Sequence, residues 1–272
     1  MSTGRGAPSA GRGAASAGRP PEFSDGFDLG RLDPARWVPH YLAHWSSRER
    51  AAARYRVDGG RLALEIAPDQ QPWNPADDGD TRVSSIQTGM FAGPVGSSIG
   101  QHRFHPGLVV REAQPTLRLY TPRFGRIETR LSAVDHPDAM VALWMIGFED
   151  EPDRSAEICV CEIFGRDVGL AAGRVGMGIH PFGDPRLVDD FEQVEVAFDL
   201  RRPHDFGVSW SPGRVDYDVD GRTVKSSRQA PDYEMQLMLG VYVSRAVGPG
   251  EAPIRFVVDH VRGYAPVGGR PA

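Results

Sequence analysis

Hydrophobic and polar residues alternate along much of this chain with a period of two, the repeat of an extended strand whose side chains point to opposite faces. Residues 56–66 form two such runs around Gly59-Gly60, and residues 215–225 form two more around Asp220-Gly221. Asp-Gly between alternating runs is the strongest short-range hairpin signal. Further strands are expected at 83–91, 124–133, 139–148, 174–180, 194–200, 204–210, 235–243 and 254–264. No 3.6-residue periodicity persists beyond about two turns. Many short strands, with no linker after residue 23, predict an all-β sandwich.

One strand breaks the pattern. Residues 155–164 read Ser-Ala-Glu-Ile-Cys-Val-Cys-Glu-Ile-Phe, apolar and β-branched like a buried strand, yet with glutamates at 157 and 162. Buried carboxylates are costly to desolvate, so the pair points to a cleft. Five residues apart, the two side chains would face opposite ways in a regular strand. A single β-bulge at Val160 or Cys161 restores Glu157, Cys159 and Glu162 to one face, and bulges are enriched beside active sites. Spacing alone equally allows an edge strand with one glutamate in and one out.

Composition narrows the function classes. With 31 Lys+Arg against 36 Asp+Glu and a net charge of −5, the chain has no basic footprint for nucleic acid. No apolar run is long enough to span a bilayer as a helix. The only cysteines, Cys159 and Cys161, would lie on opposite faces across a bulge, which argues against a disulfide between them. Zinc and P-loop motifs are absent. Residues 1–20 form a Gly/Ala/Arg tail too poor in apolar residues to pack, and without the apolar core of a secretory signal. A cytoplasmic protein with one domain over residues 21–267 is therefore expected. The acidic loop 70–80 is expected to be solvated, because its spacing does not match a calcium loop. The Gly/Ser loop 93–100, lacking the lysine and helix of a phosphate cradle, reads as a flexible rim.

Six segments in order give the chain a resemblance to glycoside hydrolase family 16, the β-glucanases and laminarinases. Residues 22–28 with Leu32, Asp33 and Trp37 are similar to the family's opening strand. Residues 124–130 resemble its Tyr-Gly-Arg-Phe-Glu strand, and 142–147 the strand bearing a sugar-stacking tryptophan. His204-Asp205-Phe206 with Trp210, then Val219-Asp220-Gly221, are similar to the next pair, and 256–264 to the closing strand. The sixth segment is Glu157-x-Cys159-x-x-Glu162, like the family's Glu-x-Asp-x-x-Glu with cysteine in place of aspartate.

The resemblance implies a concanavalin A-like β-jelly-roll of two curved antiparallel sheets and a retaining endo-glycosidase acting on a β-linked polysaccharide or oligosaccharide of β-glucan type. It gives Glu157 the part of nucleophile, Glu162 that of acid/base, and Cys159 the place of the aspartate between them. Over roughly 13 Å of strand, two long side chains must lean together to reach the ~5–5.5 Å carboxyl separation of retaining enzymes. Trp144, Trp210, Trp45 and His180 are the implied substrate-binding residues; for Trp210 the alternative is sandwich core, and for His180 a structural histidine. Catalysis needs no cofactor on this reading, while Asp259 and Gly60 match positions that hold a structural calcium in the family; Asp259 could equally pair with an arginine. The expected partner is a saccharide, with no nucleic acid or membrane, and the expected state is a monomer. A lectin-like module that kept the fold and lost catalysis is the competing reading.

Overall fold

The computed structural model of the chain describes residues 19–248 and 250–267, so all but the last two residues of the expected tail lie outside the described residues. In chain order the strands are β1 (Phe23–Asp25), β2 (Arg54–Asp58), β3 (Arg61–Ile66), β4 (Arg82–Gln87), β5 (Gly89–Met90), β6 (Leu117–Arg118), β7 (Gly125–Ser132) and β8 (Ala139–Gly147). They continue as β9 (Glu157–Phe164), β10 (Gly173–His180), β11 (Glu192–Val196), β12 (His204–Ser211), β13 (Arg214–Val219), β14 (Arg222–Ser227), β15 (Met235–Val243) and β16 (Ile254–Tyr264). One four-residue helix, α1 (Arg48–Ala51), and short 3-10 turns are the helical elements among the described residues. No helix among them is long and apolar enough to cross a membrane.

Two antiparallel sheets make the sandwich. The first runs β14-β13-β12-β7-β16-β3-β2, with β1 paired to β16; the second runs β11-β10-β9-β8-β15-β4. The main core lies between them. Leu62, Leu64, Ile127, Phe206, Val208 and Phe256 of the first sheet meet Leu143, Ile158, Val160, Ile163, Val175 and Leu239 of the second. Burial of this apolar surface is the main force holding the layers together. The predicted all-β sandwich is the fold observed.

Three expectations are corrected. The strand expected over 83–91 divides at Thr88, whose hydroxyl donates to the Tyr120 carbonyl and accepts from the Leu237 N–H, so the chain leaves β4 and pairs with β6. The strand expected at 194–200 ends at Val196, because Asp199 turns the chain by accepting the Arg201 N–H. Loop 70–80 is only partly solvated. Trp73 and Asn74 are buried, Trp73 Nε1 donating to Asp78 and Asn74 Nδ2 to the Trp45 carbonyl. These bonds satisfy polar groups that would otherwise be costly to bury.

Trp210 is corrected as well. It sits on β12 of the first sheet, facing the main core at 2% exposure, with its Nε1 donating to the Pro231 carbonyl at 2.9 Å and its ring edge-on to Phe124. The alternation Phe206, Val208, Trp210 puts all three on the inner face, so Trp210 cannot reach a saccharide.

Candidate active site

The site is built on β9, a central strand of the second sheet. Against β8, Leu143 pairs with Cys161 and Trp144 with Cys159, which leaves Val160 as the extra residue of a bulge. The ladder to β10 slips at the same place, between Gly176, opposite Glu162, and Gly178, opposite Cys159. Ile158, Val160, Cys161 and Ile163 therefore fill the main core, while Cys159 joins a second apolar cluster on the outer face. Glu157 and Glu162 keep parity with Cys159 across the bulge and face outward with it. Both cysteines are free, and Cys161 belongs to the inner core.

The neighbouring strands shape the floor. On β8 the residues facing Glu162, Cys159 and Glu157 are Ala142, Trp144 and Ile146; on β10 they are Gly176, Gly178 and His180. Gly178 has φ +145°, and a Cβ there would stand 2.4 Å from the Asp190 carbonyl oxygen, so only glycine fits. His180 is half-buried, bonds Asp189 through Nδ1 at 2.7 Å and stacks on Phe191 with ring centroids 4.7 Å apart. It stands at the end of β10, opposite Glu157.

The carboxyl groups are held in a dry setting. Glu157 is 3% exposed and accepts a hydrogen bond from the Cys159 thiol at 2.7 Å. Burial pushes the Glu157 carboxyl up to about 7, against the opposing pulls of the Cys159 bond and of His180, and with a smaller push from Glu162. Burial also raises Glu162, opposed by His180 and Arg166. Burial, reinforced by both glutamates, pushes the Cys159 thiol far above its usual range, so it stays protonated and donates.

Three residues absent from the sequence expectations complete the site. His102, with a left-handed backbone (φ 51°), roofs Glu157: its Nδ1 lies 3.8 Å from Glu157 Oε2 and has no hydrogen-bond partner. Burial, with His180 nearby, lowers this imidazole to about 4, so it is neutral at pH 7 and the contact is not an ion pair. The His102 N–H donates to Glu149 Oε1 at 2.6 Å, and Glu149, itself at φ 60°, is pushed up to about 8 by burial. Phe182 packs edge-on against the His102 ring. These residues come from loops with no strand period, and the positive backbone angle that all three share is invisible in sequence.

Two expected contacts are corrected. Trp45 is fully buried, donates from Nε1 to the Gln101 carbonyl at 2.8 Å and braces the loop carrying His102 from behind rather than contacting substrate. Trp144 lies on the outer face beside Cys159 but is only 7% exposed, because Tyr242 stacks on it at 5.0 Å and His102 lies 5.8 Å away. It forms floor, not an open stacking platform.

Where the resemblance implies a calcium, Asp259 is paired with a basic side chain. The Asp259 carboxylate lies 3.5 Å from the Arg130 guanidinium, whose charge would oppose a cation, and among the described residues no three His, Cys, Asp or Glu side chains gather as a metal site. Gly60 is a turn residue at φ +67°, close to Asp28.

Residues 119–252 match the family model described as Glycosyl hydrolases family 16. The GlcNAcα1-4Gal releasing endo-β-galactosidase from Clostridium perfringens is 27% identical with a TM-score of 0.81, over 94% of this chain. This chain spans 65% of the length of that enzyme. The catalytic domain of an endo-1,3-β-glucanase (laminarinase) from Thermotoga petrophila is 18% identical with a TM-score of 0.62, over 91% of this chain and 98% of that one. A laminarinase from Flavobacterium sp. is 13% identical with a TM-score of 0.58, over 90% of this chain and all of that one. No curated protein matches the chain. The matched stretch, residues 119–252, includes β7 to β15 and carries both Glu157 and Glu162.

Proposed function

We propose that this protein is a retaining endo-glycosidase that cleaves a β-galactoside linkage. The observation that carries the reading is the bulge at Val160, which turns Glu157, Cys159 and Glu162 to one outer face of the sheet while Ile158, Val160 and Cys161 stay in the core. Two carboxyl groups on one face supply the nucleophile and the acid/base that double displacement needs. Glu157 attacks the anomeric carbon as the bond to the leaving oxygen breaks, and Glu162 gives that oxygen its proton. Water then loses a proton to Glu162 and attacks the same carbon, releasing Glu157. Glu162 suits this part because it is more open to water than Glu157. The Cys159 thiol steadies the anionic form of Glu157, where the resemblance places an aspartate.

The substrate reading departs from the expected β-glucan. At 13% and 18% identity the laminarinases share the fold, whereas the clostridial endo-β-galactosidase is nearer in both sequence and shape. Hydrolysis of laminarin, agarose and mucin O-glycans, with the anomer of the first product read by NMR, tests both parts. β-Galactoside cleavage with retained configuration is expected; inversion overturns the mechanism and preference for laminarin overturns the substrate. Glu157→Gln and Glu162→Gln should each lower turnover roughly 10²–10⁴-fold, and full activity in either variant removes the assignment.

A further inference from the structure

The outer face of the second sheet is covered unevenly around β9. On the β8 side, Val83, Ala142, Trp144, Ile146, Met238 and Tyr242 of β4, β8 and β15 are packed beneath loop residues. Tyr41, Leu42, Trp45 and Trp73 lie over them at 0–6% exposure, joined by Leu108 and Val110. This apolar layer is close-packed core, and a hydrated chain could enter it only by unpacking it. A polysaccharide crossing the sheet from β10 towards β4 would therefore meet a wall directly beyond the dyad.

On the other side, β10 has only Gly176 and Gly178 next to Glu162 and Cys159, and the Asp190–Phe191 chain lies directly over these glycines. Phe191 covers Gly176, half-buried and stacked on His180, and offers an aromatic surface for the apolar face of a pyranose. Next to the wall, near the start of β9, lies a cavity of about 500 Å³ lined by Ile99, Arg103, Phe104, Glu149, Ser155 and Phe182 among others. That volume is typical of a site for a small ligand. Phe104, Phe182 and Glu149 also touch His102, whose unpartnered, buried Nδ1 stands between this cavity and Glu157. A buried polar atom without a partner is costly, and a sugar hydroxyl would satisfy it.

We propose that the cleft is one-sided: substrate lies over β9 and β10 with one end lodged in the cavity beside Glu157, so the enzyme releases a short saccharide of fixed length rather than cutting at random along a chain. The proposal rests on the glycosidase reading of the dyad and adds the position of the cut. The clostridial endo-β-galactosidase, named for release of a disaccharide, is consistent with it.

The test uses the full chain on agarose and mucin O-glycan oligosaccharides of graded length, each labelled at its reducing end, with products sized by mass spectrometry. One short product of constant size, cut from the same end at every substrate length, is expected. Cuts spread along the longer substrates overturn the one-sided cleft while leaving the glycosidase reading intact, whereas no cleavage of these or of laminarin removes both. Phe182, 45% exposed, can be shortened without opening the core. Phe182→Ala should raise KM about tenfold without lowering the melting temperature; an unchanged KM also overturns the proposal.

Discussion

A thiol occupies the place that resemblance gives to an aspartate, and its proton governs Glu157. Cys159 is held protonated by burial and by both glutamates, so it donates to the Glu157 carboxylate and favours the ionised form. Cys159→Ala removes that donor, which should move the acid limb of kcat/KM to higher pH by about one unit. Cys159→Ser keeps a donor and should bring the limb most of the way back. A pH profile of the two variants checks both, and identical profiles contradict the account. Stability carries a second signature. A carboxyl whose folded value is raised binds more protons in the native than in the unfolded state between the two values. For Glu157 that window runs from 4.5 to about 7, and within it stability falls as pH rises. Glu157→Gln removes the charge in nearly the same shape, so above pH 7 it should stabilise the protein by about 1–3 kcal/mol while abolishing turnover. Denaturant melts at pH 5 and pH 8 measure this, with the gain confined to the higher pH.

At the scale of the strand, the bulge and the two glycines of β10 act together. The bulge sets which way each glutamate points, and Gly178 lets the chain through Asp190 run against β10 at that same register. Gly178→Ala forces a left-handed backbone and a 2.4 Å contact with a carbonyl oxygen, so a loss of about 1–3 kcal/mol in unfolding free energy is expected, with a fall in kcat from the displaced ladder. Much of this level is readable from sequence. Period-two alternation marks β7, β10, β12, β13 and β16, and a spacing of five between Glu157 and Glu162 leaves a bulge and an edge strand equally open. What alternation does not reveal is which outward residues stay open. β8 reads as an unbroken apolar run, because one face meets the other sheet and the other face meets loops. Trp144 lies beside Cys159 on the outer face, and its exposure is set by Tyr242 and His102, which are distant in sequence.

For the whole molecule, the two apolar clusters divide the tryptophans by function. Trp210 belongs to the layer between the sheets, so Trp210→Phe should cost about 1 kcal/mol or more through the stranded Pro231 carbonyl and lost packing, without altering KM for any saccharide. Thermal melts alongside kinetics separate the two effects, and a raised KM would return Trp210 to the cleft. The outer cluster is the part of the molecule least legible in sequence. It joins loops around residues 41–45, 73 and 104–110, which share no period and meet only once the sheet has formed. The small ladder of β5 with β6 gives those loops a further meaning. It pinches together the two ends of residues 91–116, the excursion that carries Gln101, His102, Phe104 and Leu108. A segment closed at its base by its own strands can change in length and content while its anchor points stay fixed. For an evolving lineage that is a replaceable cassette: new sugars could be reached by exchanging one stretch of chain, with the dyad on β9 inherited unchanged.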